Sequence, residues 1–309
     1  MRSDALLPTG VQVLERGWLS SNNIVLTGGG GAAALVDSGY YLHSEQTVAL
    51  VAQALQGQPL ERLLNTHLHS DHCGGNAALQ AAYPGLHTAI APGQAAAVRD
   101  WCPQTLSYTP TGQHCPPFRY DSLLTPGQTV RLGGQGWEIH AAPGHDTHAV
   151  LLFNPAHRLL ISADALWENG FGVVFPELDG EDAFDSVAAT LDLIEALQPA
   201  VVIPGHGKVF SDVPQALARA RKRLDYFVQQ PARHRNYAGK VLLKFRLLEL
   251  QQVPGEELLA WACATPYLHA LWQRFHADQP LQAYVQDLLE QLVQAGAAAR
   301  HGALLVNQD

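Results

Sequence analysis

Four residues of types that bind metals stand within six positions of one stretch: His67, His69, Asp71 and His72, in Thr66-His67-Leu68-His69-Ser70-Asp71-His72-Cys73-Gly74-Gly75-Asn76. Neutral imidazoles and carboxylates are first-choice ligands for Zn²⁺ and similar borderline ions. His67 and His69 are two apart, so an extended segment points both the same way. Asp71 and His72 lie past the bend and can turn toward a second point. The spacing therefore suggests two adjacent metal positions rather than one. Leu63 and Leu64 read as the end of a buried strand, and Asn76 to Gln80 reads as a helix after the Gly-Gly turn. A strand-to-helix loop is where α/β proteins commonly keep their chemistry.

This stretch resembles the signature of the metallo-β-lactamase superfamily. Four further residues match what that resemblance implies elsewhere in the chain. They are Asp37 in Val36-Asp37-Ser38-Gly39, His145 in Pro143-Gly144-His145-Asp146, Asp164 in Ser162-Ala163-Asp164-Ala165 and His206 in Pro204-Gly205-His206-Gly207. Each of His145, Asp164 and His206 follows an apolar run, as a ligand at a strand end should. The resemblance covers about residues 20 to 215. It implies that His67, His69 and His145 hold one ion and Asp71, His72 and His206 the other, with Asp164 between them. It also implies that Asp37 orients a ligand without touching metal. His148, three residues past His145, is expected in the core or behind a ligand. The family usually has glycine before the bridging Asp, and Ala163 departs from that.

The elements that must carry these residues alternate between strand and helix. Ile24 to Thr27 and Ala32 to Val36 read as strands joined by a turn at Gly28 to Gly31, since glycine tolerates positive φ. Ser44 is expected to cap a helix to about Leu55, with Val48, Leu50, Val51 and Leu55 on its buried side. Further strands are expected near Thr88–Ile90, Thr129–Leu132, Trp137–His140, Val150–Phe153, Leu159–Ile161 and Ala200–Ile203. Amphipathic helices are expected at Ala183–Leu197 and Ala216–Gln230. Apolar strands ending at ligands imply sheets covered by helices. The pattern alone reads as α/β with a metal site, and the resemblance adds a four-layer αββα sandwich. The catalytic domain is expected over residues 1–213. A small, mainly helical domain is expected over 214–309, with helices near Glu256–Cys263, Tyr267–Phe275 and Leu281–Ala295 and a last hairpin near residue 300. Helices followed by a hairpin look winged-helix-like. That order is similar to the superfamily subgroup that includes β-lactamase-like protein 2.

Composition bounds the function. With 309 residues, 19 basic against 28 acidic and a net charge of −9, wholesale nucleic-acid binding is not expected. Nine basic residues nevertheless fall between Arg219 and Arg246. They read either as a solvated helix face or as a rim that draws an anionic substrate, with Arg233 and Arg235 as candidates to hold it. Trp167, Asn169 and Phe171 read as pocket wall. The Pro-rich stretch 101–119 reads as lid or as packed surface loop. Cys73, Cys102, Cys115 and Cys263 form no Cys-x-x-Cys pair. Cys102 and Cys115 flank one loop and could bridge, but free thiols suit a reducing cytosol better. The first residues show no leader, and no run approaches the ~18 apolar residues of a membrane span. A cytoplasmic protein is expected, with a homodimer allowed.

The resemblance implies metal-dependent hydrolysis by a hydroxide shared between two divalent ions, zinc first, with iron or manganese as alternatives. Asp71 is then placed to orient the water or pass on a proton, and no Ser or Cys nucleophile is needed. The expected substrate is a small molecule of ester or thioester type, thioesters in the manner of glyoxalase II fitting the resemblance, with lactones and other esters open. That enzyme's glutathione-binding signature is not evident near the C-terminus. Three other readings stay open. One is an RNA phosphodiesterase, favoured by the basic span. Another is a mononuclear-iron persulfide dioxygenase, opposed by the complete Asp71/His72/His206 set. The third is a binding or signalling protein on the same fold.

Overall fold

The computed structural model describes residues 6–28 and 32–308. Its first sheet holds β1 (Val11–Leu14), β2 (Asn23–Leu26), β3 (Ala33–Val36), β4 (Leu60–Asn65), β5 (His87–Ile90) and β6 (Ser122–Leu123), adjacent in that order. β1 to β3 pair antiparallel, and β3 to β6 run parallel. The second sheet holds β7 (Thr129–Leu132), β8 (Gln135–Ala141), β9 (Val150–Asn154), β10 (Leu159–Ala163) and β11 (Val201–Pro204). Its strand order is β11-β10-β9-β8-β7. The Gly28–Gly31 turn falls partly on residues 29–31, outside those described.

Period-two alternation explains how the layers stack. Ile24, Leu26, Val36 and Leu64 face inward and meet Ile139, Val150, Leu152, Ile161 and Ile203 of the second sheet in one buried core. Their neighbours Val25, Leu35 and Leu63 point the other way. They pack with Val51 and Leu55 of the helix Ser44–Leu55 and with Leu79 of the helix Asn76–Ala82. Each such side chain, fully buried, contributes about 1.5–3 kcal/mol. The opposite face of the second sheet carries Leu151, Phe153, Leu160 and Val202, all equally buried, so it too is covered. Ser44 does not cap its helix. A 3₁₀ turn, Tyr41–His43, runs straight into the helix, so His43 takes the cap position with no side-chain bond.

Strand direction brings the chemistry to one edge. β3 and β4 are parallel, so Asp37 and His67 follow strand ends on the same side. β10 and β11 are also parallel, and Asp164 and His206 follow their ends. The rule that open α/β sheets gather ligands beyond the carboxyl ends of strands applies to both pairs.

The described chain gathers into two compact units. The first takes residues up to Leu106 and His114–Tyr226, and the second takes Ser107–Gln113 and Phe227 onward. The helix Val213–Gln229 runs from one into the other. The second unit is mainly helical: Pro231–Leu250, Gly255–Ala264, Pro266–Phe275 and Leu281–Gln294 surround Leu243, Leu258, Tyr284 and Leu288. A small antiparallel sheet completes it, with β14 (Leu304–Asn307) between β12 (Gln252–Pro254) and β13 (Ala298–His301). The helix Pro231–Leu250 goes beyond the sequence expectation, because basic residues break its apolar stripe. The middle of the 101–119 stretch, Ser107–Gln113, packs within this unit, where Gly112 lies against the Trp261 ring. Among the described residues no helix is long and apolar enough to cross a membrane.

Candidate metal centre

The loop after β4 is fixed by a buried polar net before any ligand is placed. Ser38 Oγ donates to Asn76 Oδ1 (2.7 Å), Asn76 Nδ2 to Asn65 Oδ1 (2.7 Å), and Asn65 Nδ2 to the His72 carbonyl (3.1 Å). Gly75 lets the chain come this close: a Cβ there would sit 2.4 Å from the Ser38 carbonyl oxygen.

Three imidazoles then converge. His67 Nε2 is 3.1 Å from His69 Nδ1, which is 2.8 Å from His145 Nε2. A second group, Asp71, His72 and His206, offers ligand atoms within 4.8 Å of one another, as does the first. Asp164 lies between the groups. Its Oδ2 is 3.4 Å from His145 Nε2 and 3.9 Å from His206 Nε2, while its Oδ1 is 3.5 Å from His72 Nε2.

A second ring of residues fixes which nitrogen faces inward. The Asp37 carboxylate accepts from His72 Nδ1–H at 2.8 Å and from the Thr66 backbone N–H and hydroxyl (2.9 and 2.8 Å). Thr66 Oγ1 in turn accepts from His67 Nδ1–H at 3.1 Å. His145 Nδ1–H donates to the Val173 carbonyl. The Nε2 of each of these three rings is turned toward the centre, the arrangement metal-binding histidines need. His72 Nε2 is fully buried and has no hydrogen-bond partner. A buried polar atom left so costs about 1–3 kcal/mol unless something else binds it. The donor set and this orphaned nitrogen both fit a divalent ion.

The electrostatics agree. Burial, reinforced by the neighbouring rings of His72, His69 and His145, holds His67 well below the ordinary imidazole value. Burial and His69 push His145 down to about 4. Both rings are neutral at pH 7 and free to ligate. Burial would also lower His72, but the carboxylates of Asp164, Asp37 and Asp71 outweigh it and hold it well above the usual value. Burial opposes ionisation of Asp164, yet His72 and His206 keep it well below the carboxylate range. Asp71 is likewise lowered, burial being overcome by His72 and by its hydrogen bond to His206. A cluster with this many anionic oxygens calls for positive charge at its centre.

Other expected residues sit elsewhere. His148 is exposed rather than in the core, and its ring lies against Gly93. Phe171 is 1% exposed, so it cannot be a wall that substrate touches; it packs behind His145 and Asp164 around a void of only about 10 Å³. Asn169 is exposed at the tip of a tight turn closed by the Trp167 N–H to the Gly170 carbonyl (2.7 Å). Trp167 does reach the centre, but as a donor: its indole N–H lies 3.2 Å from Asp164 Oδ1. Arg233 and Arg235 belong to the second unit, where the Arg235 guanidinium lies 3.9 Å from the centroid of the Phe275 ring. All four cysteines are free thiols, and Cys115 faces Cys73 (Sγ···Sγ 3.9 Å) rather than Cys102. Sequence reasoning missed Thr66, the Val173 carbonyl and Trp18, whose ring stacks on His206. Thr66 adjoins the His-x-His run and could have been suspected; nothing in the sequence marked the other two.

The family model of the metallo-beta-lactamase superfamily matches residues 16–206, and the chain belongs to that superfamily. It is 30% identical over 171 residues to a hydroxyacylglutathione hydrolase of Acidiphilium cryptum, covering 55% of this chain and 59% of that protein. It is 25% identical over 154 residues to an acyl-coenzyme A thioesterase of Gallus gallus, covering 47% and 56%. It is 24% identical over 214 residues to an atrochrysone carboxyl ACP thioesterase of Aspergillus fumigatus, covering 69% and 42%. The chain thus spans about half the length of these curated relatives. A metallo-beta-lactamase family protein of Thermus thermophilus shares the fold across 98% of this chain and all of its own, at a TM-score of 0.57 and 21% identity. A structure captured in a di-iron-bound form superposes with a TM-score of 0.52 at 26% identity, over 68% of this chain and 98% of its own.

Proposed function

We propose that the protein hydrolyses a small, anionic thioester or ester with two divalent metal ions, zinc first and iron or manganese as alternatives. The observation that carries this is Asp164 Oδ2 lying between two three-residue ligand groups. Relatives named as thioesterases and hydroxyacylglutathione hydrolases support the substrate class. His67, His69 and His145 would hold one ion and Asp71, His72 and His206 the other, with Asp164 placed between the two groups. Such a pair, when bound, supplies a nucleophilic hydroxide at neutral pH and polarises the carbonyl.

The chain's own contribution is orientation and proton handling. Asp37 and the Val173 carbonyl lock ring tautomers, so the ligating lone pairs are aimed before any ion arrives. Trp167 holds one oxygen of Asp164 and leaves the other turned toward His145 and His206. Asp71 is the least buried carboxylate of the cluster and has one oxygen 3.1 Å from His206 Nε2. That position suits it to orient a water and take its proton. The C-terminal unit, read as winged-helix-like, and a cytoplasmic homodimer belong to the same proposal.

The test is elemental analysis of protein purified without chelator, together with turnover on thioester, lactone and phosphodiester panels. Two ions per chain and thioester or ester turnover abolished by His69→Ala are expected. One ion or none after metal supplementation, or turnover indifferent to His69→Ala, sinks the reading.

A further inference from the structure

Trp18 is 56% exposed, an expensive position for the largest apolar side chain. Folding alone does not call for it, because its ring fills no core. It sits on the loop between β1 and β2, and that loop is held at the metal centre at several points. The Asn22 side chain donates to the carbonyls of Pro204 (3.0 Å) and Gly207 (2.8 Å), on either side of His206. The Asn22 N–H reaches the Gly205 carbonyl (2.7 Å), and the Ser21 N–H reaches that of Asp71 (2.9 Å). The loop therefore presents Trp18 in a set place.

That place is over a candidate ligand. The Trp18 ring stacks on the His206 imidazole, centroids 5.4 Å apart and planes 14° from parallel. Trp167 closes one edge, 5.3 Å from Trp18 at 65° and 5.6 Å from His206 at 78°. One face of Trp18 is covered by the imidazole, and its exposure leaves an indole surface open beside the centre. The opposite side of the cluster differs: there Phe175 meets His69 and His145 edge-on, at 5.3 and 5.8 Å, and offers no such stacked ring.

We propose that Trp18, backed by Trp167, is a substrate subsite that receives an aromatic acyl group by face-to-face stacking while the scissile carbonyl lies at the His206 side of the centre. Offset-stacked rings are a preferred arrangement, and a fixed partner avoids the ordering cost of a mobile one. The identity of the group as an acyl group rests on the hydrolase reading above; the presence of the aromatic subsite does not.

The experiment uses the full chain with its metals. First, kcat/KM is compared for a benzoyl and an acetyl thioester of the same thiol, in wild type, Trp18→Ala and Trp18→Phe. The benzoyl-to-acetyl ratio should fall about tenfold in Trp18→Ala and recover most of the way in Trp18→Phe. A ratio within twofold of wild type in Trp18→Ala overturns the proposal. Second, indole N–H resonances are followed during titration with benzoate and with acetate, the Trp18 signal being identified by its loss in Trp18→Phe. Benzoate should shift it and acetate should not; equal responses to both, or none, overturn the subsite. If wild type hydrolyses no thioester or ester at all, the hydrolase reading fails, and the benzoate titration alone decides the subsite.

Discussion

The ligand loops and the basic run from Arg219 to Arg246 each concentrate one kind of side chain, and the fold treats them in opposite ways. In the ligand loops each locked ring has one nitrogen tied down and the other aimed inward: His72 by Asp37, His67 by Thr66, His145 by the Val173 carbonyl. In the basic run four of the nine cations are tied to partners within the fold. Arg219 Nε donates to the Glu168 carbonyl (2.7 Å), and Arg221 pairs with Asp192 and Glu195 (2.7 and 2.8 Å). Lys244 donates to the carbonyls of Ala297 and Gln308 and to Asn307 Oδ1 (2.8, 2.6 and 2.6 Å). Arg246 pairs with Glu249 and lies 5.4 Å from the centroid of the Trp261 ring. A site is marked by bonding capacity that the fold orients and leaves open, and a dense run of one residue type is no substitute.

The sharpest way to break this contrast is Asp164→Ala. The substitution removes the carboxylate that faces both ligand groups, and the fold is expected to survive because the lesion is local. Metal content should drop by at least one ion per chain, and kcat/KM should fall by about two orders of magnitude or more. Activity within a few-fold of wild type, with circular dichroism unchanged, would show that Asp164 does not join the groups. Asp37→Asn should act less strongly, since Asp37 orients His72 and Thr66 and is not itself in either ligand group. It weakens the bond to His72 and disturbs Thr66, and outer partners of this kind are worth about 10–100-fold in metal affinity. A competition titration with a chromogenic chelator measures it, and an unchanged affinity would remove Asp37 from the centre.

Much of this contrast was legible in the sequence on one side and little on the other. The His-x-His-x-Asp-His run and the three downstream candidate ligands are short-range signals, each pinned to a strand end. Parallel strands bring strand ends together almost by rule, so residue types and order were enough. Asp37 was legible for the same reason. Phe171 and His148 were misplaced because burial depends on which helix or loop covers a position, and no local pattern records that. Trp167 was read as a wall, and its indole N–H also donates to Asp164, which no local pattern records. The basic run misled for a related reason: its partners Glu168, Asp192, Glu195 and Asn307 are 26 to 63 positions away in sequence. Charge counts along the chain cannot see pairings at that range. The helix Pro231–Leu250 was hidden by those same charges.

A smaller effect tests the one departure from the family pattern. Ala163 has φ +47°, the left-handed region, at the end of β10. A side chain there costs roughly 1–2 kcal/mol relative to the right-handed region, and glycine avoids that cost. Glycine also loses about 0.5–1 kcal/mol more in chain entropy on folding. Ala163→Gly should therefore stabilise the protein by up to about 1 kcal/mol, a rise of roughly 2–4 °C in Tm for a domain of this size. A loss of stability would mean that the Ala163 methyl, which is buried, contributes packing that outweighs the strain.

The smallest effect concerns Arg235 and Arg233, and it tests the other side of the contrast. Arg235 stacks on Phe275, so Arg235→Ala should cost about 0.5–1 kcal/mol in urea unfolding. Arg233 is exposed, and a rim that holds an anionic substrate would show there as a raised KM in Arg233→Glu with kcat intact. Salt separates the substrate classes. A small acyl anion presents one or two charges, so kcat/KM should fall only shallowly as salt screens them. A polynucleotide releases counterions at every neutralised phosphate, giving a log–log slope of about −0.7 to −0.9 per contact. With Arg219, Arg221, Lys244 and Arg246 bonded within the fold and a net charge of −9 on the chain, the shallow dependence is expected. RNA binding that collapses between low and moderate salt, with metal-dependent cleavage abolished by His69→Ala, would instead assign the protein to nucleic-acid cleavage.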